Sequence, residues 1–237
     1  MPLTLPIGKG SFTSNPVDEH IAPGQTLLTS SKDGRNWSKP EVIFPPYKAP
    51  AGVSIPEGYD GYMMHQRMGF YVSKNGKLLT IAFYGHTEDP FEKGGIGRVV
   101  REVNKDGSYG PIYFIRYNSH TNWNASNTSF PFYKTSDDKA FIAACDELLG
   151  NTLVTLQWRD EDNGLDGGEA FSYYSRKDGK IVGFWKRSVT AISEDGGKHF
   201  SKTVKASTLT MAGGKVWAQQ TEDERYALSY NPIDIDE

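Results

Sequence analysis

The chain has 237 residues, with 26 Lys and Arg against 29 Asp and Glu, for a net charge of −3. That balance argues against a nucleic-acid partner, and no apolar stretch is long enough to cross a membrane as a helix. Aromatic residues make up 13% of the chain, with 25 Gly and 13 Pro, a mixture that suits many short strands joined by tight turns.

The first ten residues, MPLTLPIGKG, lack a basic start followed by an apolar core and do not read as a signal peptide. The first turn signal is Asp33-Gly34. A Pro- and Gly-rich stretch over 45–62 cannot continue a ladder and reads as a loop. Next comes a hairpin bounded by His65 and His86, with its turn at Asn75-Gly76, a strong short-range hairpin signal. The turn lies midway between the two histidines, so a regular register would bring both imidazoles to the open end of the hairpin. Two histidines there suit proton transfer near neutral pH. The alternative is a polar residue ending each strand.

Further turns fall at Asp106-Gly107, Asp137-Asp138, Asp178-Gly179, Asp195-Gly196 and Glu222-Asp223, each between apolar runs. The segment 140–150, AFIAACDELLG, is the one plausible helix and also reads as a strand. On the strand reading, Asp146 and Glu147 sit at a hairpin end. Cys145 is the only cysteine, which excludes an internal disulfide. An acidic loop, 159–169, carries Asp160, Asp162 and Asp166, oxygen ligands able to hold a structural calcium, although the spacing lacks an EF-hand glycine. No other metal or cofactor is expected. Asn36, Asn124 and Asn127 head Asn-x-Ser/Thr sites that matter only in a glycosylating pathway.

Seven hairpins predict about fourteen strands, an all-β fold. Repeated antiparallel meanders suit a β-propeller of four-stranded blades, and fourteen strands fill about three and a half of them. Residues 1–237 are therefore read as a single propeller domain or a fragment of one, about half a propeller.

Two segments bear on family. Ser193–Phe200, SEDGGKHF, fits the Asp-box pattern Ser-x-Asp-x-Gly-x-x-aromatic, and Ser31–Trp37, SKDGRNW, is one residue shorter. The chain thus resembles the sialidase-like β-propellers, in which the Asp caps the turn and the aromatic packs beneath it. It lacks the Arg-Ile-Pro motif of the sialidases themselves. Several stretches look like bacterial polysaccharide-utilisation propellers. The separation of His65 and His86 resembles that of the paired histidines in ulvan lyases and rhamnose–glucuronate lyases. This resemblance implies a secreted or periplasmic enzyme acting on an oligo- or polysaccharide. Tyr174 and Arg187 would complete the catalytic set, with Tyr133 as a rival tyrosine and Arg116 able to bind a sugar acid bidentately.

The first expectation is a polysaccharide lyase that cleaves a uronic-acid-containing glycan by β-elimination. The second is a glycosidase on the same scaffold, and the third a non-catalytic glycan-binding propeller. Trp123, Trp158 and Trp217 are available to stack on sugars or to pack. His20, His120 and His199 read as structural or solvent-facing.

Overall fold

The computed structural model describes residues 3–8, 25–53, 64–85, 95–119, 121–156, 171–209 and 212–232. His20, His86, His120, Trp158, Asp160, Asp162 and Asp166 lie outside these residues. The described chain forms two compact units, one running through Leu148 and one from Leu149 onward.

In the first unit, β1 (Leu3–Gly8), β2 (Thr26–Ser31) and β3 (Glu41–Phe44) form a three-stranded sheet in chain order. Then β4 (Met64–Val72), β5 (Leu78–Gly85), β6 (Gly95–Val103) and β7 (Tyr113–Tyr117) form a four-stranded meander. In the second unit a short helix (α2, Thr152–Thr155) precedes a four-stranded meander of β8 (Ser172–Ser175), β9 (Ile181–Trp185), β10 (Val189–Ser193) and β11 (Val204–Lys205). A two-stranded sheet, β12 (Ala212–Gln220) with β13 (Tyr226–Pro232), follows. All strand pairs are antiparallel, and the sheets are open, as a partial propeller requires.

Four hairpins share one turn. In β4–β5 the Ser73 amide donates to the Lys77 carbonyl (3.0 Å) and the Gly76 amide to the Ser73 carbonyl (2.9 Å), with Gly76 at φ 83°. This is a five-residue turn with a left-handed fourth position, wider than a two-residue hairpin turn. The same bonds recur from Asn104 to Ser108, from Arg176 to Lys180 and from Thr221 to Arg225. Gly107 and Gly179 fill the left-handed position in two of these, but in the last it is Glu224, at φ 64°. A non-glycine residue there costs about 1 kcal/mol of backbone strain. Glu224→Gly is accordingly expected to stabilise the second unit by about 0.5 kcal/mol in urea unfolding, after the entropy of the freer unfolded glycine is subtracted. The exposed Lys177–Glu224 ion pair that is lost offsets little.

The turns after β2 and β10 are each built around an aspartate. Asp33 Oδ1 accepts the amides of Arg35 (2.9 Å) and Asn36 (2.8 Å), and Ser31 Oγ accepts that of Gly34 (2.8 Å). Asp195 Oδ1 accepts the amides of Lys198 (3.1 Å) and His199 (3.0 Å), and Ser193 Oγ that of Gly197 (2.9 Å). Backbone amides, of Asn36 in one turn and His199 in the other, hold both carboxylates well below the ordinary range. A depressed folded-state pKa contributes stability that is complete above the ordinary carboxylate pKa of about 4 and is lost as pH falls through the folded value. Stability is therefore expected to fall on acidification below about pH 4, and Asp195→Asn should flatten that fall in urea titrations. The aromatic packs as expected in one turn only. Phe200 lies against Phe171 (5.7 Å between centroids) and Trp185 (5.5 Å). In the shorter segment Trp37 arrives one residue early, bridges back to Ser31 and stays 37% exposed.

Segment 140–150 corrects the strand reading. It forms a helix, α1 (Lys139–Leu149), and Asp138 is its N-cap rather than part of a hairpin turn. Asp138 Oδ1 accepts the amides of Ala140 (2.8 Å) and Phe141 (3.0 Å). Phe141, Ala144, Cys145 and Leu148 are buried, the helical 3.6-residue spacing that a strand reading overlooks. Burial pushes the Cys145 thiol up to about 12, which leaves it unreactive at neutral pH.

The helix caps the turn end of the β4–β7 blade. Glu147 Oε1 accepts the Tyr71 hydroxyl (2.7 Å), and its carboxylate also accepts the Lys74 amide (3.0 Å). Asn75 Nδ2 donates to the Ala140 carbonyl (2.9 Å), and Lys77 Nζ pairs with Asp138 (2.8 Å) and Glu102 (2.7 Å). One face of this blade packs Ala82, Tyr84, Val99 and Phe114 against Leu28, Ile43, Phe44 and Tyr47.

Candidate functional site

A single row crosses the β4–β7 blade. Backbone register pairs His65 with Phe83, Phe83 with Arg98, and Arg98 with Arg116. Directly opposed residues in an antiparallel sheet share a face, and for Phe83, Arg98 and Arg116 it is the face opposite Tyr84 and Phe114. The row lies near the ends of the strands: β5 ends at Gly85, β6 begins at Gly95 and β7 ends at Tyr117. This end of the blade is opposite the end capped by α1.

Two irregularities produce the row. Near the turn, β4 and β5 pair Val72 with Leu78 and Gly69 with Ile81, a register that would oppose His65 to residue 85. A bulge between His65 and Gly69 moves His65 two places along, to Phe83. The wider turn and this bulge together replace the regular register that opposed His65 to His86. A second shift lies on the β6–β7 pair, where Val99 faces Phe114 but Arg98 faces Arg116. Gly97 makes the approach possible, since a Cβ there would lie 2.3 Å from the Arg116 carbonyl oxygen and 2.9 Å from Tyr117 Cα. Beyond the strand ends, the Asn118 amide donates to the Ile96 carbonyl (3.0 Å) and Asn118 Nδ2 to that of Gly95 (2.9 Å).

The row is cationic. Arg98 is 2% exposed, and its guanidinium carbon lies 4.9 Å from the centroid of the Phe83 ring. Arg116 is half-buried, and the Nε atoms of both arginines are shielded from solvent. Guanidinium groups stay charged at all accessible pH values. Two of them opposed in register bring two guanidinium charges to this end of the blade, and the planar donors of a guanidinium match the oxygens of a carboxylate. Sequence reasoning singled out Arg116 but missed Arg98. The available signal was a charged residue inside the apolar run of GIGRVVREV.

The other candidates are placed differently. Tyr133 is 3% exposed; its hydroxyl donates to Asp146 (2.7 Å), and burial, reinforced by that carboxylate, pushes it up to about 12. Asp146 also pairs with Lys134 (2.6 Å). Tyr133, Asp146 and Glu147 thus belong to the contacts that seat α1. Tyr174 and Arg187 are in the second unit. The Tyr174 ring packs against Tyr226 (4.4 Å) and Phe184 (5.8 Å), and burial raises its pKa. Arg187 is exposed in the three-residue β9–β10 turn, at φ 62°, next to Ser188 at φ 61°. Ser188 is buried there, with its hydroxyl donating to the Leu209 carbonyl. Trp123 packs against the first unit's core, while Trp217 is 59% exposed. Among the described residues no group of three His, Cys, Asp or Glu is placed to hold a metal.

A family model described as "Beta-prop_BT_1020:-like, N-terminal beta propeller" matches residues 10–173. The chain belongs to this propeller family. A solved structure named "Sialidase" matches with a TM-score of 0.80 and 39% identity, over 97% of this chain and 23% of that one. The present propeller therefore spans about a quarter of that protein. A protein of unknown function from Dyadobacter fermentans DSM 18053 shares the fold, with a TM-score of 0.54 and 16% identity over 97% of this chain and 71% of that one. No curated protein matches. The sialidase-like β-propeller expected from the sequence is thereby established, and with it a relationship to a glycan-related protein.

Proposed function

We propose that this propeller recognises a carboxylate-bearing sugar of an oligo- or polysaccharide, outside the cytoplasm, and takes part in cleaving the bond beside it. The observation that carries the reading is the opposition of Arg98 and Arg116 across β6 and β7. Hydrolytic removal of a terminal acidic sugar is the first form of the reaction, favoured by 39% identity to a protein named "Sialidase". β-Elimination is the second, favoured by the place of His65 in the arginine row. In that chemistry the arginines neutralise the carboxylate, which makes the proton on the adjacent carbon removable, and His65 is the candidate base.

The test is cleavage of a panel of uronate- and sialate-bearing glycans beside the same glycans with their carboxyl groups reduced. The acidic forms alone are expected to be cut. Arg116→Ala should lower kcat/KM by roughly 10- to 100-fold, as the loss of a charge-assisted pair implies. Sugar release without new ultraviolet absorbance identifies hydrolysis, and absorbance from an unsaturated uronate identifies elimination. Equal cleavage of acidic and reduced glycans would sink the proposal.

A further inference from the structure

We propose that Asn75-Gly76, at the tip of the β4–β5 hairpin, is a deamidation site whose reaction is held back by the seating of α1 and, once complete, loosens that seating. An asparagine followed by glycine is especially open to this chemistry, because glycine has no Cβ to shield its backbone nitrogen. The Gly76 nitrogen attacks Asn75 Cγ and the Cγ–Nδ2 bond breaks. The Gly76 amide proton leaves with the NH2 group as ammonia. Water then opens the succinimide ring at either carbonyl, giving aspartate or isoaspartate at position 75.

Asn75 is exposed, and no atom lies within 4 Å of the place a Cβ on Gly76 would take. Hydrogen bonds, rather than crowding, therefore protect the pair. The Gly76 amide donates to the Ser73 carbonyl (2.9 Å), which holds the proton that must leave. The Asn75 side chain is held at both ends. Its Oδ1 accepts the Ser73 hydroxyl (2.5 Å), and its Nδ2 donates to the Ala140 carbonyl in the first turn of α1 (2.9 Å). The neighbours are tied to the same helix, the Lys74 amide to Glu147 and Lys77 to the N-cap Asp138. The side chain cannot turn its Cγ towards the Gly76 nitrogen without giving up these bonds. The reaction thus proceeds from the opened turn, and its rate scales with the population of that form.

The product acts in the other direction. A carboxylate at position 75 has no hydrogen to donate to the Ala140 carbonyl. Two acceptors then face each other in a turn already flanked by the carboxylates of Asp138 and Glu147. Isoaspartate adds a carbon to the backbone inside a turn closed by the Ser73–Gly76 and Ser73–Lys77 bonds. Either form weakens the hold on α1, and the loss of ammonia makes the change one-way.

Peptide mapping of the whole chain after incubation at mildly alkaline pH tests the idea. Modification of Asn75 is expected to be at least about 10-fold slower in the native chain than in urea. The other Asn-Gly pair, Asn163-Gly164, lies outside the described residues and is scored as a separate peptide. Glu147→Ala keeps a strong helix former and removes only the ties to Tyr71 and Lys74. It should raise the native rate at Asn75 by roughly 10-fold. Asn75→Asp makes the product directly and reads the second half of the proposal through Cys145, which is buried on α1. A thiol reagent should label Cys145 about 5- to 10-fold faster in that variant. Equal Asn75 rates in the native chain and in urea would overturn the proposal, as would a Glu147→Ala chain that reacts no faster than wild type or unchanged Cys145 labelling in Asn75→Asp.

Discussion

Gly97→Ala is expected to destabilise the first unit by about 3 kcal/mol and, under the proposed function, to abolish the handling of acidic glycans. The added methyl would lie 2.3 Å from a backbone oxygen and 2.9 Å from a backbone carbon of β7. Neither atom can swing aside as a flexible side chain can, so the two strands must part. The residues displaced are those that oppose Arg98 to Arg116, so stability and carboxylate recognition should fall together. A chain of this size should melt about 10 °C lower for such a change. Gly76→Ala is the control. Gly76 has φ 83°, and no atom lies within 4 Å of the place its methyl would take, so only the backbone strain of about 1 kcal/mol applies. If thermal melts gave Gly97→Ala and Gly76→Ala equal costs, the close approach of β6 and β7 would be refuted.

The second large effect concerns Gly183, in the middle of β9. A Cβ there would meet the Phe171 ring at 2.8 Å and those of Phe200 and Trp185 at 2.9 Å each. The rings already pack against one another, with centroids 5.1 to 5.7 Å apart. None can retreat without pushing on the other two, and Trp185 is 1% exposed. Gly183→Ala is therefore expected to cost about 3 kcal/mol in urea unfolding and to shift the Trp185 fluorescence towards that of a solvated indole. Adding Phe200→Leu should recover only part of the loss, because two rings remain in the way. A destabilisation below about 0.5 kcal/mol would show that the slot beneath the Asp195 turn is looser than these distances describe.

The fold was legible because its signals are local. An Asn-Gly or Asp-Gly pair between apolar runs marked the turns of three hairpins, and the aspartates of SKDGRNW and SEDGGKHF marked two more. The helix was less legible because Phe141, Ala144, Cys145 and Leu148 lie in a run apolar enough to pass for a strand, and Asp138 serves equally well as a turn residue or an N-cap. The site was legible only in part. Arg116 stood out as a charge near a strand end, but its partner depends on a bulge that no residue type announces. The same holds for His65, whose neighbour across the sheet is set by a shift of two residues. Register is a property of pairs of strands, and a single misplaced residue changes every partner beyond it.

The seating of α1 also fixes an order of events during synthesis. The β4–β5 hairpin needs only contacts close in sequence, which form early. Its turn, however, is bonded by Glu147, whose carboxylate reaches back 73 residues to the Lys74 amide. Chains emerge from the ribosome N-terminus first, so Lys74 leaves well before the helix that secures it. Until then the blade carries an unsealed turn end, with the Tyr71 hydroxyl and Lys74 amide solvated and the apolar surface that α1 covers open to water. The turn end of this blade is thus closed by residues that follow the blade in the chain.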